Sequence, residues 1–62
     1  MSKTDRIELR ESSRRGTRYF WWKIVHRNHN VLLTSEAYTR KSSRTRSANR
    51  FAKAYGIPVV TV

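Results

Sequence analysis

Apolar and polar residues alternate with a period of two from Arg6 to Glu11, with Ile7 and Leu9 on one side and Arg6, Glu8 and Arg10 on the other. That spacing predicts a first strand with one buried face. Ser12–Gly16 (SSRRG) follows with small polar residues and a glycine that can take positive φ, so a hairpin loop of several residues is expected. The next run is the bulkiest in the chain. In Tyr19–His26 the same alternation places Phe20, Trp22, Ile24 and His26 on one face and Tyr19, Trp21, Lys23 and Val25 on the other. Its β-branched and aromatic content predicts a second strand. Arg27-Asn28-His29-Asn30 reads as a tight turn, since Asn tolerates the left-handed conformation. Val31–Ser35 then makes a third strand, with Leu32 on the opposite face from Val31 and Leu33. Apolar groups on both faces hint at a second covered surface.

Beyond Tyr38 the period changes to that of a helix. Ala48, Phe51, Ala52 and Tyr55 fall at i, i+3, i+4 and i+7, with Thr39 as a fair N-cap. The small alanines would let this stripe sit close on Phe20, Trp22 and Ile24. The other side collects Arg46, Arg50 and Lys53 in a cationic ridge, and Gly56 followed by Pro58 marks the helix end. Val59–Val62 has strong β preference. The expectation is an α+β fold in which a three-stranded antiparallel meander packs against one C-terminal helix and a short β tail follows. Residues 1–5 form a frayed N-terminus, 6–56 the domain, and 57–62 a tail that adds a strand at an edge or a dimer interface.

Size and charge sharpen this picture. A chain of 62 residues buries only about 60% of its unfolded surface. Without Cys it has no disulfide or thiolate zinc site to compensate, which makes a homodimer a reasonable expectation. No run approaches the roughly 20 apolar residues of a membrane span, and the N-terminus lacks the apolar core of a signal peptide, so a soluble cytoplasmic protein without a membrane partner is expected. Fourteen Lys and Arg against four Asp and Glu give +10 at pH 7. A charge that large on so small a body favours polyanionic partners, nucleic acid first.

The candidate phosphate contacts are Arg14, Arg15 and Arg18 in the first hairpin, Lys23 and Arg27 in the second, Arg40, Lys41 and Arg44 at the helix start, and Arg46, Arg50 and Lys53 on its ridge. Arg outnumbers Lys by ten to four, which suits bidentate recognition of phosphate or guanine and favours duplex DNA. Tyr19 and Trp21 need a reason to stand on the face away from the core. A dimer interface, cover by the tail and nucleobase stacking compete for that role, and in the last case Tyr19, Trp21 and Lys23 would read the nucleic acid.

Trp22-Lys23-Ile24-Val25-His26-Arg27-Asn28-His29-Asn30, followed by Val31-Leu32-Leu33-Thr34-Ser35-Glu36-Ala37-Tyr38, resembles the aromatic strand, turn and T-S-E-G-Y step of the YegP-like family of small domains. Lys41, Ser43, Ala48 and Phe51 fall where that family places a Lys, a small polar residue and two core residues of its helix. The resemblance runs from about Arg6 to Tyr55. It implies a β-β-β-α unit, found as tandem repeats or as homodimers that imitate them, and no established activity. His29 stands where Gly is usual in the turn, and Ala37 replaces the Gly before Tyr38. The Arg-rich helix is a property of this chain and not of the family.

Catalysis finds little support. Asp5, Glu8, Glu11 and Glu36 are the only carboxylates and form no facing pair; there is no Cys nucleophile and no Gly-rich phosphate loop. Glu36 is expected to accept hydrogen bonds near the helix start or to pair with an Arg. His26 and His29 could touch one metal ion, but no Cys or acid stands near them in sequence to complete a site. No enzyme activity, metal or cofactor is therefore expected. The reading from a different class is a protein–protein module or small inhibitor that docks an acidic partner through the same ridge, with the aromatics as hot spots.

Overall fold

In the computed structural model, which describes residues 5–61, the first two strands are longer than their apolar alternation. β1 spans Arg6–Arg14 and β2 spans Thr17–Val25, paired antiparallel from Arg6↔Val25 to Arg14↔Thr17. Only Arg15 and Gly16 are left to turn the chain, at φ 53 and 80. Two successive residues at positive φ close a hairpin with the twist its strands need. The expected loop of several residues is thus a two-residue turn, and Ser12 and Ser13 continue the ladder.

β3 (Val31–Thr34) lies on the other side of β2, and α1 (Lys41–Tyr55) leads to β4 (Val59–Thr61). The sheet order is β3-β2-β1-β4, with β4 parallel to β1 through Ile7↔Val59, Glu8↔Val60 and Leu9↔Thr61. The Ile7 amide donates to the Pro58 carbonyl at 2.8 Å. The tail therefore joins the sheet of its own chain, which has four strands and is mixed. β4 lies in the plane of the sheet, so it does not cover Tyr19 and Trp21.

His29, at φ 71, takes the left-handed position in the second turn, and not an Asn. Its amide donates to the His26 carbonyl, and the His26 amide donates to the Asn30 carbonyl, both at 2.8 Å. A backbone suited to Gly is thus kept with a side chain present. Ala37, by contrast, has no positive φ. β3 bulges as the pairing passes from Ile24↔Leu33 to Val25↔Val31, so Leu32 is the extra residue. Val25, expected on the open face, is only 3% exposed where Arg6 and Val31 flank it.

Past β3 the chain stays tied to β2. The Ser35 amide donates to the Trp22 carbonyl at 2.8 Å, and the Ser35 hydroxyl accepts from the Trp22 amide at 2.9 Å. Tyr38 then bridges Phe20 through two backbone hydrogen bonds. The T-S-E-x-Y step is a strand exit in which Ser35 and Tyr38 hold on while Glu36 and Ala37 are exposed.

Arg40, extended at φ −121 and ψ 132, precedes the helix without a side-chain cap, so the boundary falls one residue after Thr39. At the other end Gly56 adopts φ 67 and its amide donates to the Ala52 carbonyl at 2.8 Å. Ile57 then enters the core. That core joins Ile7, Leu9, Trp22, Ile24, Ala48 and Ile57, with Tyr38, Phe51, Ala52 and Val59 packed against it. Ser47 is its polar hub: its Oγ accepts from Trp22 Nε1 and from the Tyr38 hydroxyl, each at 3.1 Å. Trp22 meets Phe51 at 5.0 Å between ring centroids, and Phe51 meets Tyr55 at 4.6 Å. Expectations for residues 1–4 and Val62 lie outside the described residues.

Candidate nucleic-acid interface

One layer of sheet and one helix give the molecule two broad surfaces, and the sequence-derived candidates divide between them. Pairing in register puts Arg6, Glu8, Arg10, Ser12 and Arg14 of β1 on one face with Val25, Lys23, Trp21, Tyr19 and Thr17 of β2. This is the face without the helix. Trp21 and Lys23 sit there as expected, each half-buried. Arg6 and Arg10 belong with them, although only strand alternation pointed their way. Glu8 lies among these cations at 2.8 Å from Arg6, 3.7 Å from Arg10 and 4.0 Å from Lys23, and is 12% exposed.

The reverse surface carries the ridge. Arg46, Arg50 and Lys53 are exposed on α1, opposite the stripe formed by Ala48, Phe51 and Ala52. Arg40 and Lys41 are exposed at the helix start, Arg27 in the second turn, and Arg14, Arg15 and Arg18 at the end of the first hairpin. The helix packs through Ala48 and Phe51 on the sheet face of Ile7, Leu9, Trp22 and Ile24, so the ridge on its far side and the open sheet face look in opposite directions.

Arg44 does not belong with either group. It is 4% exposed, its Nη1 donates to the Arg10 carbonyl at 2.9 Å, and its guanidinium lies 5.6 Å from the Phe20 ring centroid. Its Nε and Nη2 both donate to Thr45 Oγ1 at 3.3 Å. The helix phase sets this: Arg44 is one turn before Ala48, on the packed face. It is a core residue held by a carbonyl and an aromatic ring, and is withdrawn from the phosphate contacts.

The acids account for few of the remaining charges. Glu11 meets Arg18 at 3.8 Å with both side chains largely exposed, an arrangement of small energetic weight. The Glu36 carboxylate is exposed, and among the described residues it neither accepts a hydrogen bond near the helix start nor pairs with an Arg, the two roles expected of it. Asp5, expected in a frayed terminus, is 3% exposed and lies 2.7 Å from His26 Nδ1. The fold thus supplies the acid that sequence spacing did not place beside His26. Among the described residues no three His, Cys, Asp or Glu side chains gather into a metal site, and no pocket is present. Arg14, Arg15, Arg27, Arg40, Lys41, Arg46, Arg50 and Lys53 are exposed, and none has an acid within 4.0 Å among the described residues.

No helix among the described residues is long and apolar enough to cross a membrane. Residues 18–50, more than half of the chain, match the profile of a domain of unknown function, DUF1508. No curated protein and no solved structure matches the chain. The match runs from β2 into α1 and takes in Trp22, Ser35, Tyr38 and Ser47, the residues of the hydrogen-bonded core. Arg14, Arg15 and Lys53 fall outside it.

Proposed function

Since this chain belongs to the YegP-like family of DUF1508 domains, whose description attaches no function, we propose from its own surface that it binds nucleic acid, duplex DNA by preference, through contacts to the phosphate backbone. The observation that carries this reading is the set of eight exposed cations with no acid partner among the described residues. An unpaired cation on a body of charge +10 is held near its neighbours at a cost in repulsion, which a polyanion relieves. Most of the eight are Arg, which binds phosphate bidentately. The reading is of a binding protein and not of an enzyme, and it carries with it a cytoplasmic location.

A second copy of the chain fits this reading at the β3 edge. Val31, Leu32 and Leu33 are 50%, 51% and 41% exposed on an outer strand with no Lys or Arg in it. Edge strands are commonly protected by such charges. Two β3 edges can pair antiparallel without bringing cations into register, and a dimer would double the phosphate contacts.

The test is a titration of a fluorescent duplex and its matched single strand at two salt concentrations, with light scattering on the same sample. Contacts to about 5–8 phosphates predict a log–log salt slope of about −5 to −7. The expected result is sub-micromolar affinity, a preference for duplex and the mass of two copies. Affinity no greater than that of a short peptide of equal charge overturns the reading and makes an acidic protein the leading partner. A single-copy mass at all concentrations removes the dimer.

A further inference from the structure

The β1–β2 hairpin outruns the rest of the fold. β4 pairs with β1 only from Ile7 to Leu9, while β3 pairs with β2 only from Lys23 to Val25, with one further bridge at Phe20↔Tyr38. Beyond these points two strands continue alone, from Ser12↔Tyr19 through Ser13↔Arg18 to Arg14↔Thr17. Every residue from Glu11 to Arg18 is exposed, and none of them is a large apolar residue. An arm of this composition offers nothing to a hydrophobic core or an apolar interface. It presents Arg14, Arg15 and Arg18 around a two-residue turn, on a ribbon otherwise built from Ser, Thr, Gly and one Glu that Arg18 faces at 3.8 Å.

We infer that this arm is the element that enters the DNA, lying in the major groove, an inference that rests on the nucleic-acid reading above. Strands stand about 4.8 Å apart, and the major groove, about 12 Å wide and 8.5 Å deep, admits a two-stranded ribbon, whereas the minor groove, at about 6 Å, does not. The small side chains of Ser12, Ser13 and Thr17 keep the arm thin. Register puts Arg14 on the open face of the ribbon and Arg18 on the other, with Arg15 in the turn between them. Guanidinium groups therefore stand on both sides of the arm, as contact with both walls of a groove requires. An Arg that reaches the floor has the bidentate geometry for the O6 and N7 acceptors of guanine. Behind the tip, the open face continues with Tyr19 and the cross-strand pair Arg10↔Trp21. The α1 ridge is on the reverse surface, where it adds long-range attraction but touches no base.

Two triple variants that remove the same charge separate the arm from the ridge: Arg14→Ala/Arg15→Ala/Arg18→Ala and Arg46→Ala/Arg50→Ala/Lys53→Ala. Each is titrated against a guanine-containing duplex, and each complex is probed by dimethyl sulfate, which methylates guanine N7 in the major groove. Wild type should protect guanine N7 and resist displacement by a minor-groove ligand such as netropsin. The arm variant should bind about 100-fold more weakly, lose the protection and show a salt slope smaller by about 3. The ridge variant should lose less than about 10-fold and keep the protection. Arg14→Lys/Arg15→Lys/Arg18→Lys retains the charge but not the guanidinium fork, so it should keep the slope and weaken the protection. Circular dichroism confirms that each variant is folded. A ridge variant that loses more than the arm variant, or a wild-type complex without N7 protection, overturns the arm while leaving nucleic-acid binding in place. Failure of wild type to bind any duplex or single strand overturns the underlying reading as well.

Discussion

Trp22→Ala is expected to unfold the domain or bring it to the edge of unfolding, and the reason lies in how many parts of the fold this residue joins. Its side chain is 4% exposed. It pairs with Leu9 across β1, meets Phe51 of α1 at 5.0 Å and donates from Nε1 to Ser47. Truncating a buried Trp costs about 3–5 kcal/mol through lost transfer energy and the cavity left behind. At about 0.05–0.15 kcal/mol per residue, the whole domain has only about 3–9 kcal/mol to lose. For a domain of this size each kcal/mol corresponds to about 4–8 °C, so a folded remnant should melt at least about 12 °C below wild type. Urea unfolding followed by far-ultraviolet circular dichroism reads this directly, with Trp22→Phe and Trp21→Ala as comparisons. Trp22→Phe retains an aromatic ring against Phe51 and loses the donor, for a cost of about 1–2 kcal/mol. Trp21→Ala removes a half-buried ring from the open face and should cost less than half as much as Trp22→Ala. A Trp22→Ala midpoint within error of wild type, or Trp21→Ala costing more, would refute the assignment of the two faces.

Two further substitutions probe single hydrogen bonds and turns. Ser35→Ala removes the hydroxyl that accepts the Trp22 amide and should lower stability by about 1–3 kcal/mol, whereas Ser35→Thr should restore most of it; equal urea midpoints for Ala and Ser would contradict this. Arg15→Asn puts the residue best suited to φ 53 ahead of Gly16, so thermal melting should rise by the equivalent of about 0.5–1 kcal/mol while affinity for duplex DNA falls. Stability and affinity moving together would argue against a tip residue held in a costly conformation for binding.

That conformation is not specified by the local sequence alone. Period-two alternation located β1 and β2 and separated Phe20, Trp22 and Ile24 from Tyr19 and Trp21, because a buried face leaves its mark at every second residue. The helix and its Gly56 cap were equally legible, since both depend on residues a turn apart. The hairpin length was not, because Ser12–Arg18 lacks an apolar face and its ladder is carried by backbone groups common to all residues. The burial of Arg44 is hidden from composition for a related reason. Charge suggested a surface position, while its helical phase, shared with Ala48, put it over Phe20, where a carbonyl and a ring could receive a guanidinium.

By itself the sequence determined the element types, the α+β class, the packed faces of β1 and β2 and the excess of cations, all of which follow from spacing along the chain or from composition, whereas Tyr55, expected on the packed stripe of the helix, is 50% exposed. Tertiary structure alone decided that Val59–Thr61 runs parallel to β1, that Asp5 meets His26 and that a two-stranded arm stands clear of the body. The first two depend on which segments meet across a long stretch of chain, and the third on where β3 and β4 stop pairing with the hairpin. Such pairing is chosen by the closure of the whole core, around residues as far apart as Ile7, Trp22, Ala48 and Ile57.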